Sequence, residues 1–181
     1  MNKTIGLLAH VDAGKTTFAE QILYHTKSIR KRGRVDHKDS FLDNNSVERE
    51  RGITVFSEQA IFKYKDCTYF LIDTPGHVDF SPEMERAIKA MDYAVLIISG
   101  VDGVQSQTEI IWHLLRKNSV PTIFFINKMD RLGADSEKVI SEAKDNLTKD
   151  IFILEGQEMS QDVIEFIAEH DDNICEIYLN Y

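Results

Sequence analysis

Ala9-His10-Val11-Asp12-Ala13-Gly14-Lys15-Thr16 is the stretch that decides the fold. An apolar run at residues 5–8 precedes it, and an amphipathic run follows from Lys15 to about residue 29, with Phe18, Ile22 and Leu23 on one side. A strand, a turn of small residues and a helix opening on Gly-Lys-Thr form a phosphate-binding P-loop pattern. Small residues let the backbone wrap so that successive N–H groups point at an anion. The following helix aims its positive N-terminus at the same place. Lys15 can neutralise outer phosphates and the Thr16 hydroxyl can reach Mg²⁺.

Outward from this loop, apolar runs alternate with helical patterns. Strands are expected at residues 53–64, 68–72, 93–99 and 122–126, and helices at 82–90, 106–117 and 136–147. The runs at 93–99 and 122–126 are continuously apolar, as strands buried on both faces are. The alternation predicts an α/β fold, a three-layer sandwich of the P-loop NTPase type with a mostly parallel sheet and helices on both faces. Residues 1–150 are expected to form its core. Residues 151–181 change character, with a short strand expected at 151–154 and an acidic amphipathic helix at 160–169. Residues 30–52 are charged and without period, and so long a stretch is usually functional or mobile.

Three further segments carry chemistry. Asp73-Thr74-Pro75-Gly76-His77 follows an apolar strand, at the edge where open α/β sheets bind ligands. Asp73 can hold a magnesium-bound water, and Gly76 can offer its N–H to a terminal phosphate. Such a contact lasts only while that phosphate does, so the loop can report hydrolysis. Asn127-Lys128-Met129-Asp130 follows a buried strand. The Asp130 carboxylate can accept from guanine N1–H and the exocyclic amine together, and adenine offers no such pair. One bidentate contact discriminates by about 1–3 kcal/mol. In Arg51-Gly52-Ile53-Thr54, a threonine hydroxyl on a charged loop can complete a magnesium shell. Of six histidines, His77 stands out by its address beside Gly76, where a polar side chain can orient an attacking water. In this order the four segments describe a chain that binds GTP and cuts it. Two other readings remain: a nucleotide-dependent binding switch with negligible hydrolysis, and an ATP-using P-loop enzyme, against which Asp130 argues.

Composition narrows the partners. A net charge of -9 argues against coating nucleic acid, DNA included, by bulk attraction. A local basic cluster, Lys27, Arg30, Lys31, Arg32, Arg34 and Lys38, reads as a solvated loop or as a contact to RNA or an acidic partner. Cys67 and Cys175 have no metal-ligand spacing and read as free thiols in a reducing cytoplasm. No apolar run is long enough to cross a bilayer, and the first residues do not read as a signal peptide.

Ala-His-Val-Asp-Ala-Gly-Lys-Thr, Arg-Gly-Ile-Thr, Asp-Thr-Pro-Gly-His-Val-Asp-Phe and Asn-Lys-Met-Asp together resemble the translational GTPases. Ala9 and Ala13 resemble the elongation factor G branch. Asp43-Asn44, Glu48-Arg49 and residues 121–126 are similar to the tetracycline-resistance ribosomal protection proteins, whereas residues 127–134 are more like elongation factor G itself. The resemblance covers residues 1 to about 150. It implies GTP or GDP and Mg²⁺ as cofactors and the ribosome as partner, with no membrane and a cytoplasmic location. It implies a nucleotide site of His10, Val11, Asp12, Ala13, Gly14, Lys15, Thr16, Thr17, Gly76, Asn127, Lys128 and Asp130. Thr16, Thr54 and Asp73 would surround the metal, His77 would be the catalytic residue activated by ribosomal RNA, and a monovalent cation would lie near Asp12. Family members close the guanine pocket with a Ser-Ala-Lys loop, and this sequence has no Ser-Ala pair. The C-terminal strand and that guanine clamp are therefore expected to be missing, residues 151–181 to begin an insertion, and the strand at 122–126 to become a sheet edge.

Overall fold

The computed structural model describes residues 1–29, 58–74, 81–154, 160–170 and 172–180. Its sheet is built from β1 (Asn2–Ala9), β2 (Glu58–Tyr64), β3 (Cys67–Asp73), β4 (Tyr93–Ser99) and β5 (Thr122–Asn127) in the order β2-β3-β1-β4-β5. β2 pairs antiparallel to β3 through the turn at Lys65, whose φ of 50° is the left-handed value a tight turn uses. The other three pairings are parallel.

Side chains alternate across the strands, and each parity meets a helix. Leu7 and Leu71 pack with Ala19 and Leu23 of α1 (Lys15–His25). Leu8, Ile72, Ala94 and Leu96 pack with α2 (Ser81–Ile88) and α3 (Ser106–Lys117) through Met84, Ile88, Ile111, Trp112 and Leu115. Helices thus cover both faces, and β4 reads as an unbroken apolar run because both of its faces are buried. This is the three-layer α/β sandwich of the P-loop NTPases. α4 (Ser136–Asn146) starts at Asp135, which accepts from the Lys138 N–H, a standard N-cap. After α4, the Leu147 carbonyl accepts from Trp112 Nε1 at 3.0 Å.

β1 occupies the middle of the sheet, flanked by β3 and β4. The chain goes from β1 to β2 and β3 on one side and then crosses to β4 on the other, so the crevice beyond the C-terminal end of β1 is the topological switch point. The loop from Ala9 to Lys15 lies there.

Several element ends differ from the sequence reading. β1 begins at Asn2 because its backbone ladders with β3 from Asn2 opposite Thr68 onwards, whatever the polarity of its side chains. α1 stops at His25, where Thr26 bonds back to the carbonyls of Ile22 and Leu23 and Lys27 turns to φ 59°. Residues 53–57 lie outside the described residues.

Chain contacts divide the protein into two compact units, Met1–Leu147 and Thr148–Tyr181. The second holds α5 (Gln161–His170) and α6 (Asp172–Leu179). The strand expected at residues 151–154 is not formed. That segment has no ladder partner among the described residues, and Phe152 instead packs on Phe166 of α5, ring centroids 5.4 Å apart. α6 is a helix the sequence reading did not anticipate.

Candidate functional site

Three chain segments meet at the C-terminal edge of the sheet. The first is the loop after β1. Ala13 N–H closes a turn on the His10 carbonyl at 3.3 Å. Asp12 sits at φ 62° and Gly14 at φ 94°, so the backbone curls on itself where L residues rarely go. A Cβ on Gly14 would collide with Asn127 Nδ2. α1 then begins with no side-chain cap and no acidic residue in its first turn. No residue of its own first turn caps it, and the helix end directs its partial positive charge towards the loop. Ala13 and Lys15 are buried, Gly14 and Thr16 half-buried, and Val11, Asp12 and Thr17 exposed.

The second segment is the end of β3. Asp73 is buried and forms an ion pair with the equally buried Lys15. Its other oxygen accepts from Thr16 Oγ1 at 3.5 Å. Thr74 fixes this end by donating its hydroxyl to the Leu7 carbonyl at 2.7 Å.

The third is the end of β5. Asn127 Nδ2 donates to the Ala13 carbonyl at 2.8 Å, and the Asn127 carbonyl accepts from the Gly100 N–H at 2.7 Å. Lys128 takes φ 60°, which turns the chain sharply out of the strand. Asp130 is exposed, a carboxylate open to a ligand.

His10 is buried, with its Nε2 3.9 Å from the Asp102 carboxylate, too long for a direct hydrogen bond. Burial pushes the imidazole below its usual 6.5, outweighing the opposite pull of Asp102. The Asp102 carboxyl is held below its ordinary range, first by a hydrogen bond from Ser99, then by Lys128 and His10. Ser99 also accepts from the N–H groups of Val101 and Asp102.

The residues present suit a hard cation. A hydroxyl and a carboxylate oxygen lie side by side at Thr16 and Asp73, and no nitrogen–sulfur ligand set competes among the described residues. So few protein oxygens suit Mg²⁺, which keeps waters and takes phosphate oxygens as its other ligands. Thr54, Gly76 and His77, expected at this site, lie outside the described residues, as does most of the basic cluster from Arg30 to Lys38. The sequence reading missed Asp102 and Gln107, which reach the loop from α3 and the turn before it. Nothing in local spacing marks them, because they meet residues more than ninety positions away.

The elongation factor Tu GTP-binding domain family matches residues 2–179. The chain belongs to that family. Among curated relatives, this GTP-binding domain is 46% identical to tetracycline resistance protein TetP of Clostridium perfringens over 151 residues, 83% of this chain and 23% of that protein. It is 41% identical to TetM from transposon Tn916 of Enterococcus faecalis, across 97% of this chain and 29% of that one. TetW of Butyrivibrio fibrisolvens is 39% identical with the same coverage. The chain therefore spans less than a third of the length of these relatives. A crystal structure of a Thermus thermophilus protein superposes with a TM-score of 0.79 at 26% identity, covering 98% of this chain and 33% of the other.

Proposed function

We propose that this GTP-binding domain binds GTP and hydrolyses it to GDP and phosphate as the switch domain of a ribosome-associated, cytoplasmic translation factor or ribosomal protection protein. The observation that carries the proposal is the bond from Asn127 to the Ala13 carbonyl. It joins the segment whose neighbour Asp130 can select guanine to the loop built to hold phosphates, so base and phosphate recognition share one rigid frame.

In this reading the backbone N–H groups of residues 12–17 and the Lys15 ammonium hold the phosphates, with His10 and Val11 shaping the loop from behind. Asn127, Lys128 and Asp130 hold the guanine, and Gly76 contacts the terminal phosphate. Thr16, Asp73 and Thr54 would hold Mg²⁺, which when bound supplies positive charge to the phosphate oxygens. Lys15 and Asp73 are already paired, so each must exchange its partner as nucleotide and metal arrive. A monovalent cation near Asp12 would add to the same neutralisation. His77 orients the attacking water by hydrogen bonding and needs ribosomal RNA to place it. Residues 151–181 form a separate unit that begins an insertion.

His77→Ala should lower ribosome-stimulated GTP hydrolysis steeply with GTP affinity nearly unchanged, because the residue acts on the water in the transition state. Phosphate release with and without ribosomes, beside GTP titrations, measures both quantities. A loss of affinity with little change in turnover would show that His77 is structural. Equal, negligible turnover in both conditions would leave a binding switch in place of an enzyme.

A further inference from the structure

We propose that Gln107, in the first turn of α3, is a positioning residue for the phosphate loop; the proposal rests on the nucleotide-binding reading above. The Val11 N–H donates to Gln107 Oε1 at 3.2 Å. Val11 lies inside the turn that Ala13 closes on His10, directly before the left-handed Asp12. Asp12, a non-glycine residue held at φ 62°, stores strain, and such geometry persists where its surroundings fix it. The Gln107 side chain fixes the peptide plane entering Asp12 from outside the loop.

Gln107 is in turn well held. α3 opens with a reciprocal cap: Gln105 accepts from the Thr108 backbone, and Thr108 Oγ1 accepts from the Gln105 N–H at 3.3 Å. Gln105 Nε2 also bonds to the Asp102 carbonyl. The same turn brings the Asp102 carboxylate to His10, so two adjacent loop residues are bracketed by one rigid helix start.

The bracket carries a cost that needs a reason. Gln107 Nε2 and both ring nitrogens of His10 are buried without a hydrogen-bond partner among the described residues. Unpaired buried polar atoms are rare because each loses its hydration. What the glutamine supplies in return is the one acceptor it gives to Val11.

The test uses the 181-residue chain. Gln107→Met keeps the length and removes the acceptor; Gln107→Asn keeps the amide and is too short to reach. Hydrogen exchange at the Val11 amide, GDP titration and thermal melting of the nucleotide-free protein are measured on each. The expected result is faster Val11 exchange and GDP binding weaker by ~3- to 10-fold, the value of one hydrogen bond, with the melting temperature unchanged. GDP affinity equal to wild type in both variants would overturn the proposal. So would an affinity loss matched by a fall in melting temperature, since that is a purely structural role. Wild-type protein that binds no GDP would sink the nucleotide reading instead, while faster Val11 exchange in the variants would still uphold the hold of Gln107 on the loop.

Discussion

Gly14 stands where any side chain would be strained. Its φ of 94° is one that L side chains rarely adopt, and the space a Cβ would take belongs to the Asn127 amide. Gly14→Ala would cost about 1–3 kcal/mol in backbone strain. It would also break the Asn127 bond to Ala13, the link between base and phosphate recognition. Calorimetry should show GDP affinity falling by at least ~10-fold, with the melting temperature lower by about 2–4 °C per kcal/mol lost. Unchanged affinity would mean that the link does not matter. His10 gives a second test. Burial lowers its pKa in the folded chain, so the unfolded chain binds the proton more tightly. Its contribution to stability is therefore fully present above about pH 6.5 and is lost as pH falls from there through the lowered folded value. His10→Gln should flatten that part of the pH–stability curve in chemical denaturation. A curve of the same slope in both proteins would assign it to other groups. The sequence alone named His10 and Gly14, because loop chemistry is written in consecutive residues. It did not name Gln107 or Asp102, because what recruits them is the packing of a distant helix against the loop.

β5 is the outer strand on one side of the described sheet, and its two faces differ. Phe124 packs on Trp112, ring centroids 5.1 Å apart. On the α1 side Phe125 touches Phe18, yet 38% of Phe125 and 54% of Ile123 remain exposed. An apolar strand edge of this kind pairs readily with other chains. Light scattering should show concentration-dependent association that Ile123→Lys reduces, at a stability cost within ~0.5 kcal/mol because the site is exposed. Equal association in both proteins, or unfolding of the variant, would contradict this. The continuous apolar run of β4 was legible because burial writes itself into side-chain pattern, whereas that of β5 overstated its burial, since Ile123 and Phe125 lie exposed on one face. Strand starts such as Asn2 and the stop of α1 at Thr26 were not legible, since backbone ladders and carbonyl bonds set them. Residues 151–154 misled for the opposite reason. Ile-Phe-Ile-Leu reads as a strand, but no strand among the described residues receives it and Phe152 finds a helix instead.

At the scale of the molecule, sheet order brings together what the sequence keeps far apart. Placing β1 between β3 and β4 sets Lys15 against Asp73, and the next strand out sets Asn127 against Ala13. The family follows from that arrangement and from a match over residues 2–179. What this frame is proposed to do above all is select guanine through Asp130. Competition of ATP and GTP against labelled GDP, in the wild type and in Asp130→Asn, tests that most directly. GTP should displace GDP far better than ATP does. Asp130→Asn should turn the preference towards xanthine nucleotides, since an amide donates where a carboxylate accepts. Equal displacement by ATP and GTP in the wild-type protein would contradict guanine selection by Asp130.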